Sequence, residues 1–99
     1  EEIFGPVITA IPFDDPEEGV ALANDSDYGL ASYLWTSQLQ RAHGLIPKIQ
    51  AGTVFVNSSA FPLINMPFGG YKHSGIGRDL GEAAIDQYTE QKSVAIGLN

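Results

Sequence analysis

The sequence predicts an α/β protein with a mostly parallel sheet and helical crossovers, in the order β-α-β-α-β-loop-α-β. Three observations support this class. Short apolar runs rich in β-branched and aromatic residues alternate with segments whose apolar residues recur at helical spacing. Polar capping patterns precede the helical segments. A content of 43% hydrophobic and 17% charged residues is ordinary for a globular chain and argues against disorder.

The first strand and the first helix have clear signals. Residues 7–13 form a nearly continuous apolar run, which indicates a strand buried on both faces. Asp15 then supplies an N-cap, Pro16 occupies the first helical position, and Glu18 completes a capping box. The polar cluster at residues 24–27 ends the helix.

A second strand, a second helix and a third strand follow. Residues 30–36 predict the strand, and Ser37 with Gln40 forms a second capping box. Apolar residues at helical spacing continue this helix, which Pro47 disturbs because it removes a backbone hydrogen bond. Residues 53–57 then predict a short apolar strand.

The last third of the chain centres on a glycine-rich loop at residues 67–78. Four of the chain's 11 glycines lie in it, so it predicts an irregular surface path. Residues 58–66 before it indicate an irregular crossover. After it, Asp79 is placed to cap a last helix, and residues 92–98 alternate as a half-exposed strand that needs a partner edge.

Composition excludes several classes of function. The formal charge is −7, from five basic and 12 acidic residues, which argues against a nucleic-acid partner and against an anionic membrane surface. No apolar run is long enough to span a bilayer. Without cysteine the chain has neither a disulfide framework nor a thiol nucleophile, and we predict no metal site. A cytoplasmic location is compatible with these features.

The glycine-rich loop does not match a phosphate-binding motif. Residues 75–81 read G-x-G-x-x-x-G, one residue too long for the dinucleotide fingerprint, and they follow a loop instead of a strand. Lys72 is followed by His73, so the order of a P-loop is absent as well. A catalytic triad built on His73 and Ser74 is disfavoured, because neighbours in sequence rarely have the required geometry. Turn and packing glycines are the favoured interpretation.

Two interpretations of the first residues stay open on chemistry alone. Glu2 and Phe4 together could hold a sugar diol and stack on a flat ring, because a carboxylate accepts hydrogen bonds from two hydroxyls at once. Alternatively, Glu2 is a solvated charge at the terminus and Phe4 is a core residue. General rules of burial favour this second interpretation.

Four segments together resemble the C-terminal part of the NAD(P)-dependent aldehyde dehydrogenases. They are residues 1–7, 24–31, 51–57 and 67–78, which occur in the family's order. The resemblance covers essentially the whole chain. It implies oxidation of an aldehyde to a carboxylic acid with NAD or NADP, in which a cysteine thiolate attacks the carbonyl and a thiohemiacetal and a thioester follow.

The resemblance also implies roles for residues of this chain. Glu2 corresponds to the carboxylate that binds the nicotinamide ribose, Phe4 to the aromatic residue that helps to position the nicotinamide, and Leu30 to an apolar neighbour of that ring. Phe68 corresponds to the wall of the aldehyde tunnel. Pro62, in the preceding segment, is expected there too.

The implied organisation has three parts. Residues 1–78 correspond to the C-terminal part of the catalytic domain, residues 79–91 to a connecting helix, and residues 92–99 to a strand that joins another subunit. The resemblance thus implies a homo-oligomer with an aldehyde substrate.

The family's nucleophilic cysteine, general base and nucleotide-binding domain have no counterpart in these 99 residues. We therefore expect a fragment that is inactive alone, which the opening at Glu1 without methionine also suggests. An alternative is a stand-alone, non-catalytic α/β interaction module that associates through its C-terminal strand. A nucleotide-binding domain in its own right is a third, weaker hypothesis.

Overall fold

The structure is a computed structural model that describes residues 1–59 and 64–99, and it has the predicted α/β character. Within these residues the elements in chain order are α1 (Pro16–Asn24), β1 (Tyr28–Gly29), β2 (Ala31–Leu34), α2 (Leu39–Leu45), a 3-10 helix (Ile46–Lys48), β3 (Thr53–Val56), β4 (Tyr71–Lys72) and a second 3-10 helix (Glu82–Gln87).

Helix α1 begins where the sequence predicts. The Asp15 carboxylate accepts hydrogen bonds from the backbone N–H groups of Glu17 (2.9 Å) and Glu18 (3.0 Å). These bonds satisfy two of the N–H groups that have no partner within the helix. The Glu18 carboxylate reaches back to the N–H of Asp14 (2.8 Å), one residue earlier than in a standard capping box.

Strands β2 and β3 form a parallel pair joined by the α2 crossover. The register aligns Ala31 with Thr53 and Leu34 with Val56. On one face, the rings of Tyr33 and Phe55 stack with centroids 5.1 Å apart. This pair has the parallel arrangement predicted for the strands at residues 30–36 and 53–57.

Asn57 closes the carboxyl end of this pair. Its side chain accepts a hydrogen bond from the N–H of Thr36 and donates one to the Thr36 carbonyl, both at 2.8 Å. The Thr36 hydroxyl in turn accepts from the N–H of Gln38 (3.1 Å). Gln38 precedes α2 and makes no side-chain cap, so the predicted cap at Ser37 is wrong.

The remaining two strands form a separate antiparallel ribbon. Strand β4, inside the glycine-rich loop, folds back on β1 so that Tyr28 faces Lys72 and Gly29 faces Tyr71. The described residues therefore hold two two-stranded sheets, and the prediction of a mostly parallel sheet is only partly correct. The error arose because a two-residue strand within a glycine-rich loop gives no periodic signal.

The last predicted helix is replaced by the shorter 3-10 helix at Glu82–Gln87. Asp79 does not cap it. Its N–H and C=O are both bonded to the backbone of Phe68, at 2.7 Å each. Gly81 then takes a left-handed conformation (φ 65°) before the 3-10 helix begins.

Both ends of the chain extend away from a small core. The core residues are Val20, Ala42, Leu45 and Ala51. The radius of gyration is 18.7 Å, whereas a compact domain of this length has about 13 Å.

The strand predicted at residues 7–13 is absent, and Ile8 in it is 94% exposed. That prediction is wrong for this chain, because an apolar run forms a strand only beside a pairing partner.

The predicted C-terminal strand also lacks a partner here. Residues 92–99 are exposed and form no strand in the single chain. Since the predicted partner edge belongs to another subunit, pairing of this segment stays a prediction.

Candidate functional site

A cavity of about 490 Å³ brings two of the predicted cofactor-contacting residues together. These are Glu2, from the N-terminal segment, and Leu30, between β1 and β2. The full lining is Glu2, Ala23, Ser26, Tyr28, Gly29, Leu30, Ala31, His73 and Ser74. We call this space the Glu2–Leu30 cavity. It joins the chain's beginning, the end of α1 and the glycine-rich loop.

The backbone at Gly29–Leu30 is fixed by two other segments. The hydroxyl of Ser74 accepts a hydrogen bond from the N–H of Gly29 (3.0 Å). From the start of β3, Gly52 donates its N–H to the carbonyl of Gly29 (3.0 Å) and Thr53 donates to that of Leu30 (3.2 Å). Three backbone polar groups are thereby satisfied at one wall of the cavity.

Gly29 itself must lack a side chain. It is buried, and a Cβ atom would overlap the carbonyl oxygen of Gln50 and lie 3.1 Å from the Cβ of Tyr71. The chain therefore passes here between the backbone of Gln50 and the side chain of Tyr71, and only glycine allows so close an approach.

The glycine-rich loop is tied to the end of α1 by polar contacts. The ammonium group of Lys72 donates to the carbonyls of Asn24 (2.7 Å) and Ser26 (2.8 Å), where the helix dipole favours a positive charge. The N–H of His73 donates to the carbonyl of Asp27 (2.9 Å). The His73 ring lies edge-on to Tyr28, with centroids 6.3 Å apart.

Arg78 braces the same loop from within. Its guanidinium donates to the carbonyls of Gly70 (2.9 Å) and Gly77 (2.7 Å). It also lies over the ring of Tyr71, 5.6 Å from the centroid, as in a cation–π contact. The side-chain amide of Gln87 donates to the Arg78 carbonyl and links the loop to the following 3-10 helix. The loop is thus a shaped connector, in agreement with its interpretation as turn and packing glycines.

Phe4 and Phe68 do not line this cavity. Phe4 is 94% exposed and has a left-handed backbone (φ 54°), a rare conformation for a bulky residue. Phe68 is half-buried beside Asp79 in an isolated antiparallel bridge. Pro62 lies outside the residues that the structure describes. The roles of all five predicted residues stay predictions.

His73 and Ser74 are two polar residues of the cavity that the sequence did not assign to a site. The sequence raised them only as members of a disfavoured triad. No hydrogen bond between their side chains is found in the described part of the chain, and the Ser74 hydroxyl accepts from the N–H of Gly29. No sequence signal identifies Ser74, because its position depends on the pairing of the two-residue strand Tyr71–Lys72 with β1.

Glu2 and Leu30 give this cavity one charged and one apolar side chain. The exposed carboxylate of Glu2 can accept hydrogen bonds from the two hydroxyls of a ribose. Leu30 is 45% exposed and presents apolar surface to the cavity.

The described residues contain no group of three or more His, Cys, Asp or Glu side chains that could hold a metal ion. No helix in the described part of the chain is long and apolar enough to cross a membrane.

Comparison with solved structures places the fold among the α/β dehydrogenases. An NAD+ complex of an aldehyde dehydrogenase from Bacillus cereus superposes on the whole chain with a TM-score of 0.92 and 49% sequence identity. The sequence profile of the aldehyde dehydrogenase family matches residues 1–94. The chain therefore belongs to the aldehyde dehydrogenase family, and the predicted family resemblance is confirmed.

Two curated relatives support the same assignment over nearly the whole chain. DhaS of Bacillus subtilis, provisionally named an aldehyde dehydrogenase, is 52% identical over 98 residues. The betaine aldehyde dehydrogenase of Cereibacter sphaeroides is 45% identical over 98 residues. In both cases the match covers 99% of this chain and 20% of the relative. The B. cereus structure is likewise covered to 20%, so the chain spans about one fifth of the length of the proteins it matches.

Proposed function

We propose that this chain is the C-terminal part of an enzyme, here called the parent enzyme, that oxidises an aldehyde to a carboxylic acid with NAD(P)+. The observation that carries the proposal is the family match over residues 1–94. When bound, the cofactor accepts the hydride that leaves the aldehyde carbon. A cysteine thiolate is the expected nucleophile, and it must lie outside these 99 residues because they contain no cysteine.

The residues of this chain would bind and orient the reactants. The Glu2 carboxylate would accept hydrogen bonds from the ribose next to the nicotinamide, and Leu30 would contact the ring. Support comes from the convergence of Glu2 and Leu30 on one cavity, although 28 positions of sequence separate them. Phe4 would help to position the nicotinamide, whereas Phe68 and Pro62 would line the aldehyde path.

The role of Glu2 can be tested by a Glu2→Gln substitution in the parent enzyme. We expect the KM for NAD+ to rise about tenfold, because a hydrogen bond to a charged group contributes roughly 1.5 kcal/mol or more. The KM for the aldehyde should change little. The measurement is the steady-state rate of NADH formation, with each substrate varied in turn.

Glu1→Gln is the matched control for this experiment. It removes the same charge one residue away, where the side chain lines a different cavity with Asn24 and Tyr28. If both variants raise the KM for NAD+ equally, net charge and not the Glu2 contact is responsible. An unchanged KM for Glu2→Gln contradicts the assigned role.

A stand-alone interaction module is the second candidate function. The exposed C-terminal segment favours it, since Val94, Ile96 and Leu98 are at least 73% exposed and could join a partner sheet. The small core argues against it, because only four hydrophobic residues are buried among those described. We infer that residues 92–99 pair with another copy of the parent enzyme in a homo-oligomer. A cytoplasmic location stays a prediction.

Expression of residues 1–99 alone separates the two candidates. We expect a chain that aggregates through its uncovered apolar surface instead of forming one defined species, and that forms no NADH with NAD+ and an aldehyde. Light scattering measures the association and absorbance of NADH measures the activity. A folded, monodisperse species without activity would support the module, whereas turnover would contradict the proposal that these residues are inert alone.

A further inference from the structure

We infer that Ser74 is a positioning residue for the nicotinamide side of the cofactor site. It acts through the backbone of Gly29 and thereby on the position of Leu30. The inference rests on the proposed function, because it assigns Ser74 to the same dehydrogenase site. Ser74 would not touch the reacting atoms.

The first argument is the hydrogen bond itself. The half-buried Ser74 hydroxyl accepts from the N–H of Gly29 at 3.0 Å, across 45 positions of sequence. Gly29 is buried and has no side chain. A neighbouring segment can therefore hold it only through its N–H and C=O groups.

The second argument is the symmetry of the support around Leu30. On the β3 side, Gly52 and Thr53 bind the carbonyls of Gly29 and Leu30. On the glycine-loop side, Ser74 binds the N–H of Gly29. Leu30 is held between two segments that come from different parts of the chain. Loss of the Ser74 hydroxyl would remove one of the three hydrogen bonds that fix the Gly29–Leu30 backbone, while the pairing of β1 with β4 remains.

The third argument is location. Ser74 lines the Glu2–Leu30 cavity together with Glu2 and Leu30 themselves. Phe68, which belongs to the proposed aldehyde path, does not line this cavity. A shift of the Gly29–Leu30 backbone should therefore weaken binding of NAD+ and leave aldehyde binding unchanged.

The loop itself is built to hold the hydroxyl in place. Ser74 packs against Gly70, where a Cβ atom would lie only 2.6 Å from the Ser74 carbonyl carbon. The N–H of Ser74 donates to the Tyr71 carbonyl (3.0 Å). With its backbone fixed at both places, the Ser74 side chain cannot follow Gly29 if that residue moves.

The test uses Ser74→Ala in the parent enzyme, with Ser37→Ala as the matched control. Ser37 is an exposed serine between β2 and α2. We expect Ser74→Ala to raise the KM for NAD+ about fivefold, the effect of losing one neutral hydrogen bond. The dissociation constant of NAD+, measured by calorimetry without aldehyde, should rise by the same factor. The KM for the aldehyde should stay within about twofold of the unsubstituted value.

Ser74→Cys keeps the shape of the side chain but offers a weaker acceptor. It should raise the KM for NAD+ less than Ser74→Ala does, and it carries the test if the alanine variant is insoluble. Equal rises in the KM for NAD+ and for the aldehyde would show a merely structural role and overturn the inference. An unchanged KM and dissociation constant for NAD+ would also overturn it.

Failure of the inference and failure of the proposed function give different results. If the unsubstituted parent enzyme forms no NADH from any aldehyde, the proposed function is wrong and the inference falls with it. If the unsubstituted parent enzyme is active and the Ser74→Ala variant binds NAD+ with the same affinity, only the role of Ser74 is wrong.

Discussion

Replacing Gly52 by alanine is expected to destabilise the parent enzyme by about 3 kcal/mol or more, enough to abolish most soluble expression. A Cβ atom at this position would overlap the carbonyl oxygen of Gly69 and lie 2.8 Å from its carbonyl carbon. Both obstacles are backbone atoms, so no rotation of a side chain can relieve the overlap. The start of β3 and the glycine-rich loop would have to separate.

Separation would also break the hydrogen bond from Gly52 to the Gly29 carbonyl, and with it one wall of the Glu2–Leu30 cavity. Soluble yield and the thermal unfolding midpoint are the measurements. Gly44→Ala is the matched control, since nothing lies within 4 Å of a Cβ there and the residue is inside α2. Alanine should stabilise that helix by roughly 0.5–1 kcal/mol. Similar losses in both variants would contradict the proposed backbone contact.

Asn24→Ala is expected to cost about 2 kcal/mol, from two hydrogen bonds of roughly 1 kcal/mol each. The Asn24 side chain donates to the carbonyl of Lys48 (2.7 Å) and accepts from the N–H of Gln50 (2.8 Å). It thereby fixes the segment that leads into β3 against the end of α1. Alanine would remove both bonds and leave Lys48 and Gln50 without these partners.

Asn24→Asp tests the bond to Lys48. The carboxylate can still accept from Gln50, but it would place a negatively charged oxygen against the Lys48 carbonyl at the end of α1, so we expect a loss at least as large as that for alanine. Thermal unfolding of the parent enzyme is the measurement for both variants. If the aspartate variant is as stable as the unsubstituted enzyme, the bond to Lys48 contributes nothing. If the alanine variant is equally stable, the bridging role of Asn24 is wrong.

Signals that depend only on neighbouring residues predicted the local structure well. Asp15 before Pro16 fixed the start of α1, because a cap depends on a few adjacent residues. The apolar runs at residues 30–36 and 53–57 contain the parallel pair β2–β3. Signals that depend on distant partners predicted less. Asp79 has every local feature of a cap, yet its backbone is bonded to Phe68.

Prediction of the site shows the same difference between local and long-range signals. Glu2 and Leu30 were named from the family resemblance, and the structure brings them to one cavity. Ser74 was not assigned, because its importance depends on a hydrogen bond to Gly29, 45 positions earlier. Periodicity and composition contain no information about such a contact. Residues on the glycine-rich loop could be placed only when the pairing of β4 with β1 was known.

The two extended ends have a consequence for how folding free energy is distributed in the parent enzyme. Burial of a large apolar side chain contributes about 1.5–3 kcal/mol. Ile8 and Leu98 are both over 90% exposed, so their side chains do not contribute this stabilisation within the chain. If other parts of the parent enzyme cover these side chains, their burial stabilises the protein only once those parts have assembled. Substitutions at these ends should then alter the cooperativity of the whole protein, while leaving the small core around Leu45 intact.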